Sequence, residues 1–273
     1  ERTLHYGRRY FMVCPEYFTV KVPLTPEGYL AVRTLRQEGV PINFTLGFSV
    51  RQNYLAARLA NPDFVNVFLG RLNQVVMDHN AGTGELVGEK VTLATQQALR
   101  SARENDKHVS SRLIAASIRN GEQVAFLAGL DVLTIPPKAM KDYQDSGKLP
   151  DQVVSHIDDS IEPGVDPQHR FAKRFSELWQ LSEEFRNFVD ALVARPDLDS
   201  MQGEELDKIA RDVNLFHPFS EDDLNKIQEH GKIPDLNAWP DSVALDDLMT
   251  QSALQSFTKD QNALDERIRS FLK

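Results

Sequence analysis

Short apolar runs alternate with helical patterns along the first half of the chain. Phe18-Thr19-Val20-Lys21-Val22-Pro23 alternates apolar with polar positions and reads as a strand. Glu27 to Gln37 reads as a helix, with Thr25 as N-cap, Pro26 at the first helical position and Gly39 past the end. Ile42 to Leu46 predicts a second strand and Ser49 to Ala60 its helix. Phe64 to Leu69 is the third strand. Arg112 to Ser117 is the fourth, followed by a short helix over Gly121 to Ala128, and Asp131 to Ile135 is the fifth. The first three strands start roughly 23 residues apart, the length of a βα unit. Such alternation predicts an α/β fold with a parallel sheet and helices outside. The gap between the third and fourth strands is longer. It holds a glycine-bearing loop, Gly82-Thr83-Gly84, and a helix from Lys90 to about Asn105. Glu1 to Cys14 reads as a helix ahead of the first strand.

From about Leu149 the strand signals vanish. Phe171, Phe175, Leu178, Phe185, Phe188 and Leu192 recur at helical spacing until Arg195-Pro196-Asp197. Further helices are predicted at Glu204–Val213, at Glu221–His230 with Ser220 as N-cap, and at Leu245–Leu248. A last amphipathic helix carries Leu254, Phe257, Leu264, Ile268 and Phe271. The aromatic stripe reads as core, and the acidic faces read as solvated. The expected division falls between residues 1–148 and 149–273.

Strand residues alternate faces, so the polar positions can be sorted. Lys21 opposes Val20 and Val22, and Asn43 and Thr45 oppose Ile42 and Phe44. Asn66 and Phe68 oppose Val65 and Val67, and Ser117 opposes Ala116, with Arg119 two positions on. Four strands thus bring polar groups to one face near their C-terminal ends. In a (β/α)₈ barrel that is the active-site mouth. Lys21 has two readings. A lysine inside an apolar strand is desolvated, its pKa falls, and the neutral amine can form a Schiff base with a ketone. Alternatively its stem packs in the strand while its head reaches solvent.

Composition narrows the field. The 273 residues suffice for one large domain or two small ones, and no apolar run is long enough to span a bilayer. The net charge of −9 disfavours general nucleic-acid binding, although a local basic pocket can hold a small phosphate. A single cysteine, Cys14, excludes an internal disulfide framework and multi-cysteine metal sites and fits a reducing, cytoplasmic setting. Cys14 itself reads as a structural thiol. The segment Leu4 to Arg9 lacks the apolar core of a signal peptide. Gly82-x-Gly84-x-x-x-Gly88 has the wrong spacing for a dinucleotide loop. Asp222-Asp223 and Asp246-Asp247 lack calcium-loop spacing and fit helix first turns. Lys138, just past the fifth strand, is a second candidate amine at the rim.

Several short motifs carry a family resemblance. Val20-Lys21-Val22-Pro23-Leu24-Thr25-Pro26-Glu27-Gly28 resembles the lysine motif of transaldolases. Asn43-Phe44-Thr45-Leu46-Gly47-Phe48-Ser49 is similar to the family's next segment, where Asn-x-Thr precedes Phe-Ser. Phe68-Leu69-Gly70-Arg71 resembles its Phe-Val-Gly-Arg, and Ala116-Ser117-Ile118-Arg119-Asn120 its Ala-Ser-Phe-Arg-Asn. Leu127 to Ile135 is similar to the run into its eighth strand, and Phe257-Thr258-Lys259-Asp260-Gln261 resembles its C-terminal helix.

The resemblance implies a (β/α)₈ barrel fold and specific roles. Lys21 would be the Schiff-base lysine, and Thr45 would orient the catalytic water. Asn43 and Asn66 would hold substrate hydroxyls, with Phe68 lining the substrate; the family usually has serine where Asn66 stands. Arg71, Ser117 and Arg119 would bind the sugar phosphate. No metal or organic cofactor is implied, because the iminium withdraws the electrons. The partners would be sugar phosphates, with a homodimer left open. The implied activity moves a dihydroxyacetone unit between sugar phosphates in the non-oxidative pentose phosphate pathway. A fructose-phosphate lyase and a non-catalytic phosphosugar-binding fragment are the alternatives. The resemblance places Lys21 on strand four. Strands 4–8 are therefore expected here and strands 1–3, which supply an Asp, an Asn and a Glu in the family, are expected to be missing. Glu16 and Glu27 are not positional substitutes. Residues 1–148 would be the C-terminal portion of the barrel, and 149–273 a helical extension ending in the family-like helix. Five strands do not close an eight-stranded barrel. The expectation is a C-terminal part of a longer enzyme, or a chain completed by a partner fragment. The alternative is that the acidic helical half covers the open edge.

Overall fold

The computed structural model describes residues 1–272. Helix α1 (Arg2–Val13) leads into strand β1 (Val20–Pro23). The expected start at Phe18 moves to Val20, because the N–H groups of Tyr17 and Phe18 both turn back to the Cys14 carbonyl. Helix α2 (Pro26–Gln37) begins as the sequence predicts: Thr25 Oγ1 accepts from the Gly28 N–H at 3.1 Å. Strand β2 (Ile42–Thr45), helix α3 (Val50–Leu59) and strand β3 (Phe64–Phe68) follow. Ser49 is the N-cap of α3 rather than its first residue.

Two helices, α4 (Leu69–Asp78) and α5 (Val87–Asn105), fill the long gap before β4 (Arg112–Ala116). The loop between them is structural. Gly84 N–H donates to the Gly164 carbonyl and Gly164 N–H to that of Glu85. Gly82 has φ +143, and a Cβ there would lie 2.2 Å from the Gly164 carbonyl oxygen. Helix α6 (Gly121–Phe126), strand β5 (Val132–Leu133) and helix α7 (Pro137–Asp145) complete the first half.

The five strands form one parallel sheet in the order β1-β2-β3-β4-β5. Register pairs Lys21 with Asn43, Phe44 with Val65, Asn66 with Ile114, and Phe68 with Ala116. One face thus carries Lys21, Asn43, Thr45, Asn66 and Phe68, as expected. On β4 the sorting differs from expectation. Ile114 and Ala116, not Ala115, share the lysine face. Ser117 lies past the end of β4 with φ +66, so strand alternation no longer governs it. The opposite face packs under α2, α3 and α5.

The second half is helical among the described residues. Its α-helices are α8 (Ala172–Ser176), α9 (Glu183–Val193), α10 (Gly203–Ala210), α11 (Glu221–His230) and α12 (Leu245–Phe271). The phenylalanine stripe spans two helices, because Ser182 stops the first pattern and caps α9 by accepting from Phe185 N–H. The two helices expected after Leu245 are one, since no glycine or proline interrupts Leu245 to Phe271. Helix α9 packs on α3 and α10 on α2, whereas α1 lies against β1. A contiguous apolar core runs from Val20 to Ala253 through both halves.

The acidic second half is not uniformly solvated. Asp246 and Asp247 sit in the first turn of α12, as the sequence predicts, but both are buried. Arg51 Nε and Nη2 each reach Asp246 at 2.7 Å, and Ser49 Oγ donates to it at 2.6 Å. The His217 N–H donates to Asp247. Burial, reinforced by the neighbouring Asp246 charge, pushes the Asp247 carboxyl well above the usual range.

Candidate active site

The site grows from the C-terminal ends of β1, β2 and β3. Asn66 organises it. Its Nδ2 donates to Asn43 Oδ1 at 2.8 Å. Its Oδ1 accepts from Thr45 Oγ1 at 3.3 Å and from the Leu46 N–H at 3.1 Å. Leu46 has φ +70, so the chain leaves β2 in a left-handed turn held by the Asn66 side chain. Thr45 and Asn66 are buried and Asn43 is half-buried. The Thr45 hydroxyl gives its proton to Asn66 and keeps lone pairs with which to hold a water. No carboxylate takes part in these bonds among the described residues.

Lys21 extends from β1 beside this network. The residue is exposed, but its amine is flanked by rings. Nζ lies 5.9 Å from the centroid of Phe68 and 5.6 Å from that of Phe257 on α12. Ring faces attract an ammonium by about 0.5–1 kcal/mol at exposed sites. Loss of hydration outweighs this, and burial lowers the Lys21 pKa below its ordinary value. The flanking rings and the lowered pKa agree with the reading of a desolvated amine, while the exposure of the residue agrees with the reading in which the head reaches solvent.

The same two rings flank a second cation. The Arg71 guanidinium carbon is 5.9 Å from the Phe68 centroid and 5.8 Å from that of Phe257. Arg71 is buried, and its Nη1 has no hydrogen-bond partner among the described residues. Burial lowers its pKa first, the Arg119 charge lowers it further, and Asp260 partly opposes both. Arg119 comes close because position 70 is glycine. A Cβ there would lie 2.6 Å from Arg119 Nε and 2.3 Å from the Ser117 carbonyl oxygen. Two neighbouring guanidinium groups, one with an unpaired buried N–H, suit a doubly charged anion.

The structure therefore gathers Lys21, Asn43, Thr45, Asn66 and Phe68 on one face, with Arg71 joined to Lys21 through the shared rings. Ser117 is half-buried in the β4–α6 loop that carries Arg119. Lys138 is exposed in the first turn of α7 and Cys14 is a free thiol at the end of α1. Phe257 and Asp260 are neighbours of Lys21 and Arg71 that residue-by-residue reading missed. Their only sequence signal is an apolar position in a late helix and the family-like tail around it. No group of three or more His, Cys, Asp or Glu among the described residues could hold a metal ion, and no described helix is long and apolar enough to cross a membrane.

Residues 1–194 match the family model of transaldolase/fructose-6-phosphate aldolase. The chain belongs to this family. Among curated transaldolase relatives, a probable transaldolase from Parvibaculum lavamentivorans is 38% identical over 124 residues, covering 45% of this chain and 50% of the relative. One from Nitrosopumilus maritimus is 34% identical over 120 residues, covering 43% and 48%. One from Thermus thermophilus is 38% identical over 137 residues, covering 50% and 54%. The chain spans about half the length of the curated transaldolases it matches.

Proposed function

We propose that this chain carries the Schiff-base half of a transaldolase active site and moves a dihydroxyacetone unit between sugar phosphates. The observation that carries the reading is the placement of the Lys21 amine: desolvated by Phe68 and Phe257, beside the Asn43–Asn66–Thr45 network, and sharing its rings with Arg71. A lowered pKa leaves more of the amine neutral near physiological pH, and only the neutral form attacks.

In this mechanism Lys21 Nζ adds to the carbonyl carbon of a ketose phosphate such as fructose 6-phosphate or sedoheptulose 7-phosphate. Water leaves and an iminium forms. The C3–C4 bond then breaks as the C4 hydroxyl loses its proton. The aldose phosphate departs, and the bond electrons are held as the enamine. The enamine carbon adds to the carbonyl carbon of an acceptor aldose phosphate, whose oxygen takes up a proton. Water oriented by Thr45 hydrolyses the new iminium and frees Lys21. Asn43 and Asn66 hold hydroxyls of the substrate, and Phe68 packs against its carbon chain. Arg71, Ser117 and Arg119 bind the phosphate.

We place β1 to β5 as strands 4–8 of the barrel, residues 149–273 as a helical extension and the setting as cytoplasmic. The unpaired edge of β1 is then the surface on which the remaining strands would dock. Exposed Tyr6 and Tyr10 on α1, which contacts β1, and exposed Phe18 just ahead of β1 support that placement. A second reading, phosphosugar binding without turnover, is favoured by one observation. The hydrogen bonds at Asn43, Thr45 and Asn66 include no acid/base carboxylate among the described residues.

Borohydride trapping with fructose 6-phosphate, followed by peptide mass spectrometry, tests both. A stable adduct on Lys21 with product release supports transfer, and a fructose-phosphate lyase would release product without an acceptor aldose. An adduct without product supports the binding reading. No adduct on Lys21 rejects the Schiff-base assignment.

A further inference from the structure

Behind the paired arginines lies a buried carboxylate that the proposed chemistry does not use. Glu89, in the first turn of α5, is 3% exposed. It forms no ion pair among the described residues. Two carboxamides solvate it instead. Gln123 Nε2 donates to Glu89 Oε1 at 2.7 Å, and Asn73 Nδ2 donates to Oε2 at 3.1 Å. The other end of each amide is also engaged. Gln123 Oε1 accepts from the Arg119 N–H at 2.7 Å, and Asn73 Oδ1 accepts from the Gly88 N–H at 2.7 Å.

A carboxylate only accepts, so each amide must turn its NH2 group toward Glu89. That choice forces the Gln123 oxygen toward Arg119. The chain of contacts runs Glu89, Gln123, Arg119 backbone, and then the Arg119 side chain lying on Gly70 next to Arg71. Burying an unpaired carboxylate is costly, and an apolar side chain would fill the space without that cost. What the charge adds is a fixed direction for both amides.

We propose that Glu89 and Gln123 are positioning residues for the phosphate-binding arginines. Glu89 sets the polarity of Gln123, and Gln123 fixes the backbone from which Arg119 faces Arg71. The inference rests on the reading of Arg71 and Arg119 as a phosphate site.

The test measures the affinity of the full chain for inorganic phosphate by calorimetry. In parallel, borohydride trapping of dihydroxyacetone, which carries no phosphate, reads Lys21 alone. Gln123→Glu places two carboxylates face to face and is expected to weaken phosphate binding about tenfold. The exchange Glu89→Gln with Gln123→Glu restores a donor against an acceptor and keeps an acceptor for the Arg119 N–H. It is expected to bind within about threefold of the parent. Dihydroxyacetone trapping is expected to stay constant throughout, which a general loss of structure would not allow.

Parent-like binding by Gln123→Glu overturns the proposal, as does an exchange variant no tighter than the single change. If Gln123→Glu does not fold, Glu89→Gln alone is compared with the exchange variant, under the same criterion. Loss of binding in an Arg71→Ala, Arg119→Ala double variant identifies the site. If the parent does not bind phosphate, or this double variant binds as well as the parent, the site reading fails and the positioning proposal falls with it.

Discussion

The two faces of the sheet are built to opposite specifications. One carries Val20, Val22, Ile42, Phe44, Val65, Val67, Leu113 and Ala115, all buried. The other carries exposed Lys21 and Arg112, half-buried Asn43, Phe64, Phe68, Ile114 and Val132, and buried Thr45, Asn66 and Ala116. The first face has the apolar stripes of α2, α3 and α5 against it. The second has the site residues, and α12 brings Phe257 to them. Burial of apolar area stabilises, whereas polar groups gathered without full partners do not. The fold therefore draws most of its apolar burial from one face and leaves the proposed site residues on the other.

This division can be broken by substitution, and the largest effect belongs on the buried face. Phe44 is fully buried and meets Tyr29 edge-to-face at 4.8 Å. Phe44→Ala is expected to cost about 3–5 kcal/mol in urea unfolding. A cost below about 1.5 kcal/mol would contradict the assignment of stability to this face.

A smaller effect, set by pH, sharpens the contrast at the helix that reaches across. The Asp247 carboxyl pKa is raised in the folded state, so the native protein holds this proton more tightly than the unfolded chain. Its contribution is favourable at low pH. It is lost as pH rises from the unfolded value near 3.8 through the folded value. Asp247→Asn keeps an oxygen for the His217 N–H and never ionises. The variant should match the parent near pH 4 and exceed it at pH 8 by on the order of 1 kcal/mol or more. Urea midpoints for both proteins across that range decide it; a constant difference would refute the shift.

The smallest effect on stability is expected at Lys21. Lys21→Met removes a partly desolvated ammonium from an exposed position, and unfolding should change by no more than about 0.5 kcal/mol. All borohydride-trapped adduct should disappear with it. A destabilisation above about 2 kcal/mol would mean that the lysine face also holds the fold together.

Much of this was legible in the sequence, and for local reasons. Period-2 alternation separated the residues of β1, β2 and β3 that share a face, and Thr25 and Ser220 cap helices as read, whereas Ser49 caps α3 instead of opening it and Asn120 went unread as a cap. The sequence reading failed where local rules stop. Ser117 leaves the alternation because its backbone turns left-handed, and no single-residue preference of serine announces that. Asp246 and Asp247 look like ordinary first-turn acids, and only tertiary contact with Arg51 and His217 explains their burial. Phe257 was readable as apolar, but its target depends on the packing of the whole helix. The Asn66–Asn43 bond joins two strands whose register no sequence pattern specifies.

Helix α12 gives the site an order in time. Its first turn is tied to Ser49 and Arg51 through Asp246, and Thr250 Oγ1 donates to the Leu46 carbonyl. These contacts join residues far apart in the chain, and synthesis delivers the N-terminal partner first. All the residues of the sheet leave the ribosome before the ring of Phe257 exists. Until residues 245–257 emerge, Lys21 lacks one of its two flanking rings, and its amine is closer to an ordinary surface lysine. Helix α12, made after all five strands, thus decides when Lys21 acquires its second flanking ring.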